Sequence, residues 1–366
     1  MFTGDDERHM RRALRLAARG GTRTRPNPNV GAVVVRGGRV VGEGWHRAVG
    51  REHAEVEALR AAGARARGAT MYVTLEPCAH VGRTPPCVEA LIRARIARCV
   101  VGVRDPHDIV DGRGLRRLRA AGIRVQTGLL EDEARESLGG YWSAHTCGRP
   151  RVTWKVAATL DGCTADAAGR SRWITGAAAR REGHRMRSTA DAVVVGAATA
   201  RADDPRLTAR LARAARQPRR VVVDTRLSLP RTLRLFGRAL GRGTVVACGP
   251  AAPARRVAAL EALGVTVWRL PAGRGGVSGR ALLARLAREG AHEVLLESGG
   301  VLGTRWLAEG LVDRLALFVA PRLLGAEGRR WLGPLGLRAL ERARPGRLLE
   351  TRRVAGDAFL LVEVGS

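Results

Sequence analysis

Apolar side chains recur along this chain at two periods that keep replacing one another. Met10, Ala13, Leu14 and Ala17 share one face of a helix predicted over 5–19. Val-rich runs at 30–36 and 39–44, joined by Gly37-Gly38, predict a β-hairpin. The alternation continues with a helix at 54–62, a strand at 70–75 and a helix at 88–95. A strand at 99–103, a helix at 114–121, a strand at 123–127 and a helix near 131–140 complete the first half. Strands that alternate with helices in this way imply a layered α/β sheet.

The texture changes at 141–150, which shows no sustained period and ends in Pro150, so the domain boundary is expected here. A second α/β series follows. It has strands at 151–157, 191–195, 220–224, 243–247, 265–269, 293–297 and 312–319, with helices at 177–188, 254–263, 279–289 and 301–309. Residues 201–218 and 226–242 are Arg-rich and irregular and read as exposed loops. The expected division is a first domain over 1–146 and a second over 147–366, consistent with a chain too long for one ordinary core. There is no internal repeat.

Composition alters this picture only slightly. Hydrophobic residues make up 45% and aromatics 4%, so the core is aliphatic and wholesale disorder is excluded. The formal charge of +30 invites a nucleic-acid reading. However, Lys155 is the only lysine, and the arginines are spread over both halves among Ala and Leu. That distribution describes a generally basic surface better than a dedicated polyanion face. No nucleic acid is therefore expected as a partner, and anionic small substrates fit either case. The six cysteines are irregularly spaced, the N-terminus is acidic rather than signal-like, and no run approaches the length of a membrane span. These features point to a reducing cytoplasm and to no membrane partner.

The sharpest chemical signal is His53-Ala54-Glu55 followed by Pro77-Cys78 and Cys87. One imidazole and two thiolates supply three ligands to a tetrahedral Zn²⁺ and leave a fourth position for water, which is the layout of a catalytic site. Zinc brings the pKa of that water toward neutrality. A carboxylate is then needed to carry protons to a ring nitrogen and a departing amine, and Glu55 is the candidate catalytic residue. His53 and Cys78 are both expected near helix N-termini, where the dipole favours thiolate over thiol. Cys99 reads as core. Cys147, Cys163 and Cys248 have no matching partners and read as structural.

His-Ala-Glu with Pro-Cys resembles the cytidine-deaminase-like superfamily. Most members close the site with Cys-x-x-Cys, whereas here the longer stretch from Thr74 to Cys87 intervenes. That insertion resembles the deaminase half of the bifunctional riboflavin-biosynthesis deaminase/reductase family. The stretches from Pro26 to Gly31 and from Gly42 to His46 resemble it too. The resemblance implies a three-layer α/β/α domain and substrate contacts from Asn27, His46, His80 and Arg83. Asn and His can read ring donors and acceptors, and Arg83 suits a phosphate. After Asp105-Pro106 the family usually carries Asn and Pro; here His107 and Asp108 stand there.

In the second half, the strand over 293–297 runs into Glu297-Ser298-Gly299-Gly300-Val301-Leu302-Gly303 and a helix. Such a turn offers bare N–H groups to a phosphate, and a tightly packed helix start explains it equally well. The half resembles the reductase domain of the same family, with a dihydrofolate-reductase-like fold and NADPH as cofactor. The resemblance is carried by the stretches 155–162, 171–175, 202–208, 297–300 and 320–325. It implies cofactor contacts from Ala157, Trp173, Thr199, Asp203, Thr225, Gly299, Gly300, Val301, Leu302, Gly303, Thr304 and Arg305. It implies substrate contacts from Ser171, Arg187, Leu207, Arg210 and Glu297. Asp161 reads as either a catalytic or a turn residue, and Lys155 as either a catalytic group or a stem packed beside the cofactor.

The expected function is bifunctional: hydrolytic deamination of a diaminopyrimidinone ribosylamine phosphate, then NADPH reduction of its ribosyl group. The implied partners are Zn²⁺, NADPH and a phosphorylated pyrimidine, in a homo-oligomer. The competing reading is a zinc-dependent base deaminase acting on a polynucleotide. A non-catalytic zinc-stabilised assembly is disfavoured by the presence of Glu55.

Overall fold

In the computed structural model, which describes residues 1–82, 85–211 and 216–365, strands and helices alternate as their periods require. Cα proximity divides the chain into two units, Met1–Gly148 and Arg149–Ser366. The first runs α1 (Gly4–Ala17), β1 (Gly31–Arg36), β2 (Arg39–Trp45), α2 (Ala54–Ala62), β3 (Thr70–Leu75), α3 (Cys87–Arg93) and β4 (Arg98–Val103). It ends with α4 (Arg113–Ala120), β5 (Arg124–Thr127), α5 (Glu131–Leu138) and α6 (Gly140–Cys147).

The sheet order is β2-β1-β3-β4-β5, antiparallel through the first three strands and parallel from β3 to β5. Alternate strand residues feed opposite faces, so two apolar layers form. Ala32, Val34, Met71, Val73, Cys99 and Val101 meet α2, α3 and α4 on one face. Val33, Val35, Tyr72 and Val100 meet α1 on the other. The result is the expected three-layer α/β/α domain, with Cys99 in its core as expected. Gly42 and Gly44 bring α2 onto β2, because a Cβ at either would lie 2.2–2.3 Å from a carbonyl oxygen of that helix. This close approach fixes the helix that begins just after His53.

The second unit contains β6 (Arg151–Thr159), β7 (Cys163–Ala165), α7 (Ala177–Thr189), β8 (Ala192–Gly196), α8 (Ala197–Asp203) and β9 (Arg219–Val223). Next come β10 (Thr244–Cys248), α9 (Ala254–Glu261), β11 (Thr266–Arg269), β12 (Ala272–Gly273), β13 (Gly276–Val277) and α10 (Gly279–Arg288). Then follow β14 (Glu293–Leu296), α11 (Gly300–Ala308), β15 (Arg314–Ala320), β16 (Arg329–Arg330), β17 (Gly346–Val354) and β18 (Asp357–Val364). Nine strands form one sheet in the order β11-β10-β9-β8-β14-β6-β15-β18-β17. It is parallel as far as β15, and the terminal hairpin β17–β18 adds antiparallel strands at one edge.

Three expectations are corrected. Residues 141–150 are not irregular: Gly139, at φ +56°, ends α5, and a fresh helix, α6, begins at Gly140. Only Gly140 and Tyr141 of α6 are buried, which is why no apolar period is visible there. The segment 226–242 is not an exposed loop, because Leu227, Leu229, Leu233, Leu235 and Phe236 are all buried in the core of the second unit. Its leucines plug the sheet face while the arginines between them mask the pattern. The segment 201–218 is part helix, since α8 runs to Asp203, and Leu207 is 1% exposed; residues 212–215 lie outside the described residues.

The first helix is locked at its start by one carboxylate. Asp6 closes a capping box with Thr3 and is 2% exposed. It also accepts from Tyr72 Oη at 2.6 Å and from Arg98 at 2.8 and 3.1 Å. Burial by itself would raise its pKa, but the Arg98, Tyr72 and Thr3 donors together hold it well below the usual carboxylate range. A carboxylate depressed in this way stabilises the fold above its unfolded pKa, near 4, and loses that contribution as pH falls through the folded value. Asp6→Ala should therefore destabilise the first unit by about 3 kcal/mol at pH 7, as expected for breaking a buried pair. In urea unfolding followed from pH 7 to pH 2, the gap between wild type and variant should be constant above about pH 5 and narrow progressively as pH falls below about 4. A gap independent of pH would contradict this account.

Candidate functional site

Three ligand-type side chains converge beyond the C-terminal end of β3. His53 caps α2, Cys78 lies in the turn after β3, and Cys87 opens α3. Their ligand atoms all lie within 4.8 Å of one another. His53 Nδ1 stands 3.1 Å from Cys87 Sγ and 3.6 Å from Cys78 Sγ. A tetrahedral zinc with ordinary bond lengths requires S···N edges of about 3.6 Å, so the donor set fits that ion. The helix-start expectation for Cys78 is corrected, because it is Cys87 that begins a helix. Cys78 nevertheless gains the benefit, since its Sγ accepts the Cys87 N–H at 3.4 Å.

The electrostatics favour one deprotonated sulfur, that of Cys78. Cys78 is held down to about 4, chiefly by the hydrogen bond from the Cys87 thiol and further by the His53 contact, against the opposing effect of burial. Cys87 is pushed well above its ordinary value by the neighbouring Cys78 sulfur and by burial. His53 rises to about 9 because it donates to Cys78. Glu55, 3% exposed in the first turn of α2, is pushed up by burial, with His53 partly opposing the rise.

His46 lies beside this group, its ring 5.3 Å from that of His53 in an edge-on arrangement. Asn27 Nδ2 donates to His46 Nε2 at 3.2 Å, so the proton on His46 sits on Nδ1 and reaches Glu52 O at 3.1 Å. Asn27 and His46 thus form a connected pair at the edge of the ligand set. His80 is exposed two residues past Cys78. Arg83 lies outside the described residues.

In the second unit, a charged group gathers around Glu297, just past the C-terminal end of β14. Arg187 donates to both of its oxygens, at 2.5 and 2.7 Å, and also to Thr208 O at 3.3 Å. Burial raises the Glu297 pKa, but Arg187 and Lys155 outweigh it and hold the carboxyl below its ordinary value. Lys155 is pushed down by burial, with Glu297 and Asp203 partly restoring it. Asp203 is pushed up by burial. Leu207 turns its side chain into the core of the unit. Arg210 is exposed, and its N–H meets His184 Nδ1 at 3.3 Å.

His184 was not among the residues expected from sequence. It stands one helical turn before Arg187, an i, i+3 spacing that was the available signal. Asp161 resolves as a turn organiser: it accepts from Leu324 and Gly325 N–H at 3.0 and 2.7 Å and from the Thr159 hydroxyl at 2.5 Å.

The Gly-rich turn divides in two. Gly299 N–H donates to Thr199 Oγ1 at 3.1 Å, and Val301 is fully open to solvent. Leu302, Gly303 and Thr304 face inward, and a Cβ at Gly303 would lie 2.0 Å from the Trp154 ring. Gly303 is therefore required for packing α11 on β6. Thr225 and Arg305 both hold the β12–β13 hairpin, Thr225 Oγ1 through Val277 N–H at 3.2 Å and Arg305 through Gly275 O at 2.8 Å. Ala157 lies on β6 beside Phe318, Ser171 is half-buried, and Trp173 is 62% exposed beneath the Arg180 guanidinium.

Comparison with known proteins agrees with both halves. The cytidine and deoxycytidylate deaminase zinc-binding region matches residues 3–103, and the RibD C-terminal domain matches residues 150–357. The riboflavin biosynthesis protein RibD of Aquifex aeolicus is 40% identical over 97% of each chain. That of Escherichia coli is 40% identical over 97% of this chain and 98% of its own. Among solved structures, Acinetobacter baumannii RibD superposes with a TM-score of 0.88 at 38% identity, covering 99% of both chains. A Thermotoga maritima diaminohydroxyphosphoribosylaminopyrimidine deaminase/5-amino-6-(5-phosphoribosylamino)uracil reductase gives 0.80 at 32%, again with 99% of both covered. With a metal-ligand set of the deaminase type in one unit and matches this extensive along its whole length, the chain belongs to the RibD family of riboflavin biosynthesis proteins.

Proposed function

We propose that this chain performs both reactions named for its Thermotoga relative. The first unit hydrolytically deaminates a phosphoribosylaminopyrimidine, and the second reduces the ribosyl group of the product with NADPH. The observation that carries the first activity is the convergence of His53, Cys78 and Cys87 beside a buried Glu55. We assign the deaminase to 1–146 and the reductase to 147–366.

His53, Cys78 and Cys87 would hold Zn²⁺, which when bound supplies an acidified water as nucleophile. Glu55 acts as proton carrier. Burial raises its pKa toward the working pH, so its carboxyl can take up a proton and deliver it to the ring nitrogen and then to the amine. Asn27, His46 and His80 contact the substrate, and Arg83, outside the described residues, is assigned to its phosphate by the resemblance alone.

In the second unit, bound NADPH supplies hydride. Thr199, Asp203, Trp173, Ala157, Thr225 and the outward part of the 299–305 turn form the cofactor side. Ser171, the Leu207 backbone, Arg210 and Glu297 form the substrate side. Arg187 acts through Glu297, since its guanidinium is already committed there.

The polynucleotide alternative has only the net charge behind it. We further propose a cytoplasmic homo-oligomer with no nucleic-acid partner. Among the described residues no helix is long and apolar enough to cross a membrane.

Incubating purified protein with the diaminopyrimidine substrate and NADPH tests the pair of activities, with ammonia and NADPH loss followed in parallel. Glu55→Ala should retain zinc and lower ammonia release by about 10²- to 10⁴-fold while leaving NADPH oxidation on the deaminated substrate unchanged. Loss of both activities together would refute two separate sites. Metal binding requires deprotonated ligands. Loading metal-free protein with Zn²⁺ at pH 7 in weak buffer should therefore release at least two protons per ion, one from Cys87 and one from His53. An indicator dye that registers no release would assign the ion elsewhere.

A further inference from the structure

The turn that carries Cys78 is fastened from behind by one carboxylate. Glu76, two residues earlier, is 3% exposed, and its hydrogen-bond partners are backbone amides. Oε2 accepts from Asp105 N at 3.3 Å and Gly112 N at 3.0 Å. Oε1 accepts from Gly114 N at 3.0 Å and Leu115 N at 3.3 Å. Two of these amides belong to the first turn of α4, and the other two belong to the loop that leads into it from β4. Converging backbone N–H groups of this kind compensate a buried anion.

The same loop presses on the metal turn directly. A Cβ at Gly114 would lie 2.0 Å from Pro77 O, so the start of α4 rests on the peptide that joins Pro77 to Cys78. On its other side Cys78 is held by α3, through Cys87 N–H to Sγ at 3.4 Å and Val88 N–H to Cys78 O at 3.3 Å. The Pro77–Cys78 segment is thus held between two helix starts, α4 against the Pro77 carbonyl and α3 against the Cys78 sulfur, and Glu76 ties α4 in place.

We propose that Glu76 is a positioning residue for the deaminase: its carboxylate fixes the Pro77–Cys78 turn against α4, and thereby the direction of the Cys78 sulfur. This rests on the zinc-deaminase reading of the site. An apolar side chain of equal size would fill the space without orienting anything, because only a carboxylate accepts from two pairs of amides at once.

The test compares wild type with Glu76→Gln as the full chain. The amide keeps the shape but turns N–H groups toward one pair of backbone donors. With one equivalent of Co²⁺, the thiolate-to-cobalt charge-transfer band and the d–d envelope should both differ from wild type. Zn²⁺ should pass to a chelator about 10- to 100-fold faster, as for other groups that orient metal ligands. Per bound zinc, kcat for ammonia release should fall while KM and NADPH oxidation stay unchanged. An unaltered cobalt spectrum together with an unaltered release rate overturns the proposal. Should Glu76→Gln fail to fold, amide exchange on zinc-loaded wild type decides. The amides of Asp105, Gly112, Gly114 and Leu115 should be strongly protected, and rapid exchange at these four overturns the proposal. Altered spectra in a protein that never releases ammonia would instead refute the deaminase reading and leave the positioning role standing.

Discussion

Two thiols and an imidazole held within 4.8 Å of one another are the constraint around which the first unit is organised. Such a cluster is unfavourable unless protons or a cation sit among the three groups. The surrounding backbone is arranged to supply positive potential. α2 begins immediately after His53, and α3 begins at Cys87 with an N–H aimed at the Cys78 sulfur. Glu55 then occupies the first turn of α2, buried and next to the ligands, so one short helix delivers both a ligand and a proton carrier. The position of that helix depends in turn on Gly42 and Gly44, which allow α2 to lie closer to β2 than any side chain would permit.

The second unit solves a different problem. It keeps a carboxylate, a lysine side chain and a guanidinium close together without exposing them fully. Arg187 and Glu297 pair through two hydrogen bonds, and Lys155 and Asp203 lie within electrostatic reach. Charges withdrawn from water are costly unless paired, so the Arg187–Glu297 fork is what makes the grouping tolerable. Reduction by a bound dinucleotide demands orientation more than proton chemistry, and a pre-paired, rigid group suits that demand.

Much of this was legible in the sequence, because both periodicity and ligand spacing are local properties. His53, Glu55, Cys78 and Cys87 could be singled out since few other roles explain a His-x-Glu followed by Pro-Cys and a further Cys. The strand and helix order was readable for the same reason. The buried leucines of 226–242 and the helix α6 were hidden, because neither follows a period: the leucines enter the core one by one, and α6 buries only its first two residues.

The sequence by itself determined the kinds of groups available and the order in which layers form, since side-chain chemistry and apolar period belong to the chain. Only the tertiary structure decided which polar groups are already committed. Asp161 is consumed by the Leu324 and Gly325 amides, Arg187 by Glu297, Gly303 by the Trp154 ring, and Glu76 by four amides some thirty residues or more away. No spacing rule records such commitments. A hydrogen bond is set by distance and direction in space, and these partners meet only after the sheet has brought distant segments together.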